Sequence, residues 1–237
     1  MDIRQKVVWI TGASSGIGEA TALEFARKDA RLILSARRAD KLNKVAEKCR
    51  EMGAETAVLP FDLSEKDNFP NIVKQAIGKF DRIDIFFHNA GVSQRSKAIE
   101  TPVDTDYKLM DINYFSGIAL TKALLPEMIA RGGGHIAVTS SIVGLFGFPL
   151  RSAYAASKHA LHGFFETLRA ELFSENIYVT VIVPGRIRTE ISMNALDKNG
   201  KPHGIMDPGQ NNGISAEKCA RKIVKAVKNR KIQVLIG

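Results

Sequence analysis

A phenol and an ammonium group stand four residues apart in this chain, at Tyr154 and Lys158 of the segment YAASK. Residues at this spacing share one face of a helix, so the two side chains are expected to project together. A free phenol has a pKa of about 10 and is a poor base at neutral pH, but a nearby cation favours the phenolate. The pair therefore fits proton transfer to or from a carbonyl oxygen, although an unreactive surface pair would show the same spacing.

Two hydroxyl groups precede this pair, because Ser140 and Ser141 end the apolar run GHIAVTSS at 134–141. In open α/β sheets, ligands bind outside the carboxyl ends of the strands. We therefore expect the Ser141 hydroxyl to bond the same substrate oxygen as Tyr154, with Val143 among the residues that contact the substrate.

Short apolar runs alternate with longer amphipathic segments along the chain. Seven runs rich in Val and Ile lie at 6–12, 31–37, 56–62, 83–91, 134–141, 178–185 and 231–237. Helical patterns lie between them, at about 16–28, 39–52, 65–80, 103–130, 152–175 and 215–229. This alternation predicts an α/β fold. We expect one doubly wound Rossmann-type domain over 1–237, with a parallel seven-stranded sheet and helices on both faces.

One long irregular stretch, residues 189–214, contains several Gly and Pro residues with scattered apolar side chains such as Met193, Leu196 and Met206. Long loops in compact domains are commonly functional or disordered. Because these apolar side chains need something to cover, we expect a lid over the substrate.

The first apolar run is followed by TGASSGIG at 11–18, which opens the first helix. Glycines there permit a tight turn and a close approach of backbone N–H groups to a pyrophosphate, and the helix N-terminus adds partial positive charge. The spacing departs from GxGxxG, and a purely structural turn would also use glycine, but the position after the first strand favours nucleotide binding. The predicted contacts are Gly12, Ser14, Ser15, Gly16, Ile17 and Gly18.

Cofactor choice is predicted at the end of the second apolar run, in LILSARRADKL. An NAD site normally places an acid there for the ribose hydroxyls, whereas this chain has Ala36 followed by Arg37 and Arg38. Two guanidinium groups suit a 2′-phosphate, which a carboxylate would repel. We therefore predict NADP(H) over NAD, the alternative being a solvated pair that opens the second helix.

The composition argues against several classes of protein. The chain has 237 residues, 45% of them hydrophobic, and no apolar run of about eighteen residues, so no membrane-spanning helix is expected. The net charge is +9, and the densest basic run lies at 221–231. Apolar residues recur there at helical spacing without interleaved aromatics, which favours a solvated helix face over a nucleic-acid or membrane patch.

Cysteine and histidine usage adds two expectations. Cys49 and Cys219 stand far apart, and the N-terminus lacks a signal-peptide profile, so inert thiols in the reducing cytoplasm are predicted. His159 and His162 stand three apart without an evident third ligand, so no metal site is expected.

Together these motifs resemble those of the short-chain dehydrogenase/reductase family, in its single-domain branch, from Lys6 to about Gly237. The shared motifs, in chain order, are TGxxxGIG at 11–18, HNAG at 88–91, Asn113 in DINYFSG, Ser141, YAASK at 154–158 and PGRIRT at 184–189. Many members continue past the seventh strand with a tail that helps to wall the substrate pocket, and the resemblance leaves open what walls that side here.

The resemblance implies a role for each residue of a catalytic set. The family serine lies thirteen residues before the tyrosine, which selects Ser141 to orient the substrate oxygen. Tyr154 would be the general acid or base, and Lys158 would lower its pKa and hold the nicotinamide ribose. Asn113 would keep a water in a proton relay to Lys158, the alternative being that it merely caps or bridges helices.

Further cofactor contacts are implied in the turns that follow the third, fourth and sixth strands. These contacts are Asp62, Leu63, Asn89, Ala90, Gly91, Pro184, Gly185, Ile187 and Thr189, with Tyr154 and Lys158. Asp62 could instead cap the next helix. His88 stands where the family often has Asn and is expected to be a packing residue.

The predicted function is NADP(H)-dependent hydride transfer between nicotinamide and a carbonyl or secondary alcohol. Val92, Val143, Leu145 and Phe148 are mostly apolar candidates for the pocket wall, which favours a lipophilic ketone as the small-molecule substrate. The resemblance also implies a homodimer or homotetramer built through helices 103–130 and 152–175. The alternative is a non-catalytic NADP(H)-sensing protein on the same fold, although such relatives usually lack the tyrosine or the lysine.

Overall fold

The computed structural model describes residues 1–237, and its centre is a parallel seven-stranded sheet with helices on both faces. The strands stand in the order β3-β2-β1-β4-β5-β6-β9. Their bounds are Val7–Thr11 (β1), Arg31–Ser35 (β2), Thr56–Val58 (β3), Ile85–His88 (β4), Gly134–Thr139 (β5), Ile177–Pro184 (β6) and Gln233–Ile236 (β9). Two short strands, Ile187–Arg188 (β7) and Ile214–Ser215 (β8), pair separately. The predicted fold class is confirmed.

Eight α-helices surround the sheets. They are Gly16–Ala26 (α1), Ala39–Glu51 (α2), Phe69–Ile77 (α3), Val103–Met110 (α4), Ser116–Ala130 (α5), Ser152–Glu171 (α6), Pro208–Asn211 (α7) and Ala216–Lys228 (α8). Alternate residues of β1 enter opposite cores: Val8 packs with side chains of α1, α2 and α8, whereas Trp9 packs with those of α3, α5 and α6. The apolar strands predicted from the sequence are thus buried on both faces.

Strand order reverses between β1 and β4, because the chain builds β2 and β3 on one side of β1 before it crosses to the other. Trp9 of β1 pairs in register with Ile33 of β2 and with Phe86 of β4. In doubly wound sheets a crevice opens at this switch point, beyond the carboxyl ends of the strands. The turns that follow β1 and β4 therefore face one another across it.

The predicted helix 103–130 contains a wide turn. Residues Asp111–Phe115 between α4 and α5 form a π-helix, and the Ser116 amide donates to the carbonyl of Asp111, five residues earlier. Such π turns are frequently found at functional sites. This one contains Asn113, which is fully buried.

Residues 189–214, called the irregular segment below, contain only the short helix α7 and the first residue of β8 as regular structure. The segment docks through Leu196, which donates its amide to Ser93 O at 2.8 Å and accepts at its carbonyl from the Arg95 amide at 2.7 Å. Asp207 near its end pairs with Arg95 and lies 3.8 Å from an Arg151 nitrogen. Its placement against the start of α6 could not be read from the sequence.

Candidate active site

A cleft of about 340 Å³ opens at the switch point of the sheet. Residues from the turns after β1, β2, β3, β4 and β5, from α6 and from the irregular segment line it. The predicted site residues among them are Gly12, Ser14, Ser15, Gly16, Ile17, Arg37, Arg38, Asp62, Leu63, Asn89, Ala90, Gly91, Val92, Tyr154, Lys158 and Thr189. The structure therefore brings the glycine turn, the arginine pair and the Tyr–Lys pair into one cleft.

The glycine turn is closely packed. Gly12 has φ +67°, and a Cβ there would lie 2.7 Å from the Cα of Ala90. Gly18 does not line the cleft but supports it from beneath, because a Cβ there would lie 2.1 Å from the Gly12 carbonyl oxygen. At the N-cap of α1, the Ser15 side chain makes no capping hydrogen bond. The first-turn donors of α1 thus suit a pyrophosphate, and the turn fits the dinucleotide expected there.

Thr11 holds the glycine turn against the turn after β4. Its hydroxyl oxygen accepts from the amides of Asn89 at 3.2 Å and Ala90 at 3.3 Å. Thr11 Oγ1 also lies 3.0 Å from Nδ1 of His88. Burial, with a smaller contribution from the Lys158 charge, lowers the pKa of His88 to about 3, so the ring is neutral and fits the packing role expected of it. Sequence reasoning missed Thr11, although it is the first residue of TGxxxGIG.

The two arginines stand at the far end of the cleft from the Tyr–Lys pair. Arg37 is 70% exposed at its side chain, and its Nη1 lies 3.9 Å from the Asp62 carboxylate. Asp62 also accepts from the Ser64 amide at 3.0 Å, which is a turn contact. It does not cap the next helical turn, because that turn begins at Lys66 with Glu65 at its N-cap and has no side-chain cap. The Asp62 carboxylate lies on the cleft wall, where a cofactor contact was expected.

Tyr154 and Lys158 are both buried, at 8% and 3% exposure, on the face of α6 that borders the cleft. The Lys158 ammonium donates to the carbonyl of Thr139, the last residue of β5, at 2.8 Å. It lies 5.7 Å from the centre of the Tyr154 ring. The predicted juxtaposition on one helix face is therefore present, and a backbone carbonyl fixes the lysine.

The pKa of Tyr154 is raised by burial, whereas the expectation was a pKa lowered by Lys158. The Ser141 hydroxyl and the Arg151 guanidinium oppose that rise. Burial lowers the pKa of Lys158 itself to about 7, because the surroundings that exclude water disfavour its charge. The Ser141 hydroxyl and the Arg151 guanidinium are therefore the groups that favour the phenolate against burial.

Ser140 and Ser141 have different partners. The Ser140 hydroxyl donates to the Lys158 backbone carbonyl at 3.2 Å, so it ties β5 to α6. The Ser141 hydroxyl accepts weakly from the Val143 amide at 3.4 Å and also acts on the Tyr154 phenol. Ser140 lines the cleft wall, whereas Ser141, which the motif spacing selects, does not.

Asn113 forms a bridge between two parts of the site. Its side chain accepts from the Val92 amide at 2.8 Å and donates to the Val92 carbonyl at 2.9 Å. It also donates to the Ser157 hydroxyl at 3.0 Å, and that hydroxyl donates to the Tyr154 carbonyl. The bridging role offered as the alternative is thus present, and it ties the turn after β4 to α6.

Several predicted residues lie outside the cleft wall. Pro184 ends β6, Gly185 bonds the Ile236 carbonyl, and Ile187 is buried in β7, so of the PGRIRT motif only Thr189 lines the cleft. Val143 packs with Leu109 and Tyr154 in a small apolar cluster. Leu145 and Phe148 are about half exposed on the turn before α6, at 43% and 51%.

Other residues line the cleft without having been predicted as contacts. They are Thr11, Ser35, Ala36, Phe61, Ser93, Ile112, Thr139, Ser140, Glu190, Ile191, Asn194 and Pro202. Most adjoin a predicted residue in the chain, so their place follows from their neighbours. Glu190, Ile191, Asn194 and Pro202 belong to the irregular segment, for which the sequence predicted a lid without indicating which of its residues line the cleft.

His159 and His162 bond the Ala155 carbonyl and the Glu166 carboxylate of their own helix. No group of three or more His, Cys, Asp or Glu side chains is close enough to hold a metal ion. No helix combines the length and the apolar character that crossing a membrane requires.

Comparisons with known proteins agree with this geometry. A family model described as short chain dehydrogenase matches residues 6–200. The chain is 42% identical over 236 residues to a Drosophila melanogaster protein named dehydrogenase/reductase SDR family protein 7-like, covering 98% of this chain and 72% of that protein. It is 40% identical over 241 residues to the Bos taurus dehydrogenase/reductase SDR family member 7B, covering 99% of this chain and 74% of that protein.

Two solved structures are also similar. One is a short-chain dehydrogenase/reductase from Burkholderia phymatum in complex with NAD, with TM-score 0.90 at 24% identity, covering 99% of this chain and 90% of that one, which supports the fold alone. The other is an alcohol dehydrogenase from the archaeon Thermococcus sibiricus complexed with 5-hydroxy-NADP, with TM-score 0.83 at 26% identity, covering 98% and 95%.

The chain belongs to the short-chain dehydrogenase/reductase family. It is thereby assigned to the oxidoreductases, and its fold is one that binds a nicotinamide cofactor.

Proposed function

We propose that this protein is an NADP(H)-dependent oxidoreductase that interconverts a lipophilic ketone and the corresponding secondary alcohol. The observation that carries the proposal is that one cleft holds the glycine turn, the arginine pair and the Tyr154–Lys158 pair. A binding protein that only senses the cofactor would need the first two features but not the third.

Each residue of the site has a task in this reaction. Tyr154 donates a proton to the carbonyl oxygen during reduction and accepts it during oxidation. Ser141 orients the same oxygen, and Lys158 holds the nicotinamide ribose. NADP(H), when bound, supplies or accepts the hydride. Asn113 keeps Val92 and α6 in place, and we propose that it also retains the water of a proton relay to Lys158.

The raised pKa of Tyr154 suits the reductive direction. A phenol that stays protonated at neutral pH is available as a general acid, and Ser141 and Arg151 stabilise the phenolate that it leaves behind. We therefore propose that Tyr154 is protonated near neutral pH and acts as the general acid of ketone reduction.

The substrate class is proposed from apolar side chains beside Tyr154 and on the turn that leads into its helix. Val92 lines the cleft, Val143 packs against Tyr154, and Leu145 and Phe148 stand half exposed on the turn that leads into α6. The irregular segment borders the same cleft, which supports its proposed role as a lid of a single 1–237 domain.

Replacing Tyr154 by Phe tests the chemistry. Ketones such as acetophenone and cyclohexanone are screened with NADPH and NADH by the absorbance of the reduced nicotinamide, and the best substrate is kept. We expect Tyr154→Phe to bind NADPH within about threefold of wild type while turnover falls by roughly 100-fold or more, the range of a lost general acid. Undiminished turnover in this variant would exclude the proposed chemistry.

Replacing Arg37 and Arg38 together by Ala tests cofactor choice. Loss of hydrogen bonds between guanidinium groups and a 2′-phosphate is expected to weaken NADPH binding by about 10- to 100-fold and NADH binding by less than about threefold. Arg4→Ala, an exposed arginine away from the cleft, is the control. Equal losses for both cofactors would contradict the proposed NADP(H) preference.

The quaternary structure and location remain predictions. Val103, Tyr107 and Phe115 on and beside α4 are each about half exposed or more, which supports a homodimer or homotetramer through this region. Light scattering on the purified protein checks the assembly. The cytoplasmic location rests on the sequence expectations alone.

A further inference from the structure

Gln94 is fully buried beside the first turn of α6, and the proposed chemistry does not use it. Its amide oxygen accepts from the backbone N–H groups of Ala153 at 2.9 Å and Tyr154 at 3.3 Å. Its amide nitrogen donates to the hydroxyls of Thr101 at 2.9 Å and Ser152 at 3.1 Å, and more weakly to Ser96 at 3.3 Å. A buried amide is thus satisfied at both ends, and its oxygen touches the backbone of the proposed catalytic residue.

Helix α6 depends on this contact because it has no cap of its own. The residue at its N-cap is Arg151, whose side chain offers no acceptor and makes no capping bond. Helices usually satisfy the N–H groups of their second or third residue with an N-cap oxygen. In α6 those residues are Ala153 and Tyr154, and the oxygen comes from Gln94, far upstream in the chain.

Gln94 is itself held on both sides. Its backbone carbonyl accepts from the Arg151 guanidinium. The residues that flank Gln94 bond Leu196 of the irregular segment, at 2.8 Å to Ser93 O and at 2.7 Å from the Arg95 amide. Gln94 and its two neighbours therefore join three parts of the site: the turn after β4, the irregular segment and the first turn of α6.

We propose that Gln94 is a positioning residue that fixes the first turn of α6 and thereby places the Tyr154 hydroxyl against the substrate oxygen. This inference rests on the proposed role of Tyr154. Near-attack geometry is steeply distance-dependent, since a shift of about 1 Å far from the chemistry can cost on the order of 100-fold in rate. Most of the predicted cofactor contacts lie in the turns after β1, β2 and β3, away from the first turn of α6, so NADPH binding is expected to be largely spared.

Two variants remove the cap in different ways. Gln94→Met keeps the volume and loses both polar ends, and Gln94→Asn keeps the amide but draws it back by one methylene. We expect kcat to fall by about 10- to 100-fold in each, with the NADPH dissociation constant within about threefold of wild type. Gln94→Glu keeps an acceptor oxygen for the first turn of α6, and the Ser152 hydroxyl can rotate to donate to the second oxygen, so the variant is expected to recover most of kcat.

Thr101→Val is the matched control. It removes one partner of the Gln94 amide nitrogen and leaves the oxygen on α6 untouched. A merely structural network would lower the thermal midpoint in all of these variants without separating kcat from cofactor binding. We expect Thr101→Val to keep kcat within about threefold of wild type, whereas the cap-removing variants do not.

The outcomes separate this inference from the proposed function. If folded Gln94→Met or Gln94→Asn turns over like wild type while Tyr154→Phe is inactive, the positioning role is wrong and the catalytic role stands. The positioning role is also wrong if Thr101→Val loses as much kcat as Gln94→Met, or if Gln94→Glu recovers nothing. If Gln94→Met does not fold, the kcat of Gln94→Asn tests the positioning role instead. Full turnover in Tyr154→Phe would instead remove the proposed function.

Discussion

Replacing Lys158 by Met is expected to stabilise the protein while it removes activity. Burial lowers the pKa of Lys158 from 10.5 to about 7. The folded state therefore holds the ammonium less readily than the unfolded chain, which costs about 5 kcal/mol of folding free energy below pH 7. Met removes that charge but leaves the Thr139 carbonyl without its 2.8 Å partner, a loss of about 1 to 2 kcal/mol. The net gain expected below neutral pH is about 3 kcal/mol.

This gain has a defined dependence on pH. Between about pH 7 and pH 10.5 the unfolded chain still carries a proton on Lys158 that the folded protein has released. The stability of the wild type therefore rises with pH in this window, at about 1.4 kcal/mol per pH unit, and the advantage of the variant shrinks at the same rate. Near pH 9 the remaining penalty is about 2 kcal/mol, which the orphaned carbonyl nearly cancels.

Urea unfolding followed by circular dichroism at about pH 6, 8 and 9 measures the difference. Lys44→Met, an exposed lysine on α2, is the control and is expected to change stability by less than about 0.5 kcal/mol at each pH. If Lys158→Met were less stable than wild type near pH 6, or if the gap stayed constant with pH, then burial would not be the dominant influence on this ammonium and the reasoning would be refuted.

Gly18→Ala is expected to destabilise the protein by about 1–3 kcal/mol and to weaken NADPH binding sharply, because its Cβ would meet the Gly12 carbonyl oxygen at 2.1 Å. Gly163→Ala, with open space around it on α6, is the control; equal NADPH affinity in both variants would contradict the packing argument. Burial raises the pKa of Cys49 to about 11 and of Cys219 to about 12, so neither thiol is expected to react with a disulfide reagent near pH 8 until urea unfolds the chain. Rapid modification of the native protein would disprove this.

Local patterns predicted much of the fold and part of the site. The alternation of apolar strands and amphipathic helices led to the parallel sheet, and the spacing of Tyr154 and Lys158 placed both on one face of α6. The glycine turn and the arginine pair were predicted from their position after strands, and both line the cleft. These predictions were correct because residues close together in the chain determine the features concerned.

Features that depend on distant partners were not visible in the sequence. Gln94 belongs to no periodic pattern, because its amide oxygen binds backbone N–H groups of a helix that lies about 60 residues later in the chain. The Lys158 ammonium donates to a main-chain carbonyl. Every residue carries such a carbonyl, so the sequence does not indicate which one binds the lysine. The prediction that the pKa of Tyr154 is lowered was wrong for a related reason. The spacing of two residues indicates how close their side chains lie, but not how far burial excludes water from both.

Because of the π turn at Asp111–Phe115, the geometry of the site depends on the exact number of residues in the segment that joins α4 to α5. A bond that spans five residues instead of four inserts one extra residue, which rotates everything after it by about 100° around the helix axis. A chain one residue shorter here could run as an uninterrupted α-helix with better backbone bonding, but the faces of α4 and α5 would fall out of phase. Asn113 would then turn away from Val92 and lose both hydrogen bonds to it. Inserting or deleting a residue in this segment is therefore expected to disrupt the site even where a substitution is tolerated.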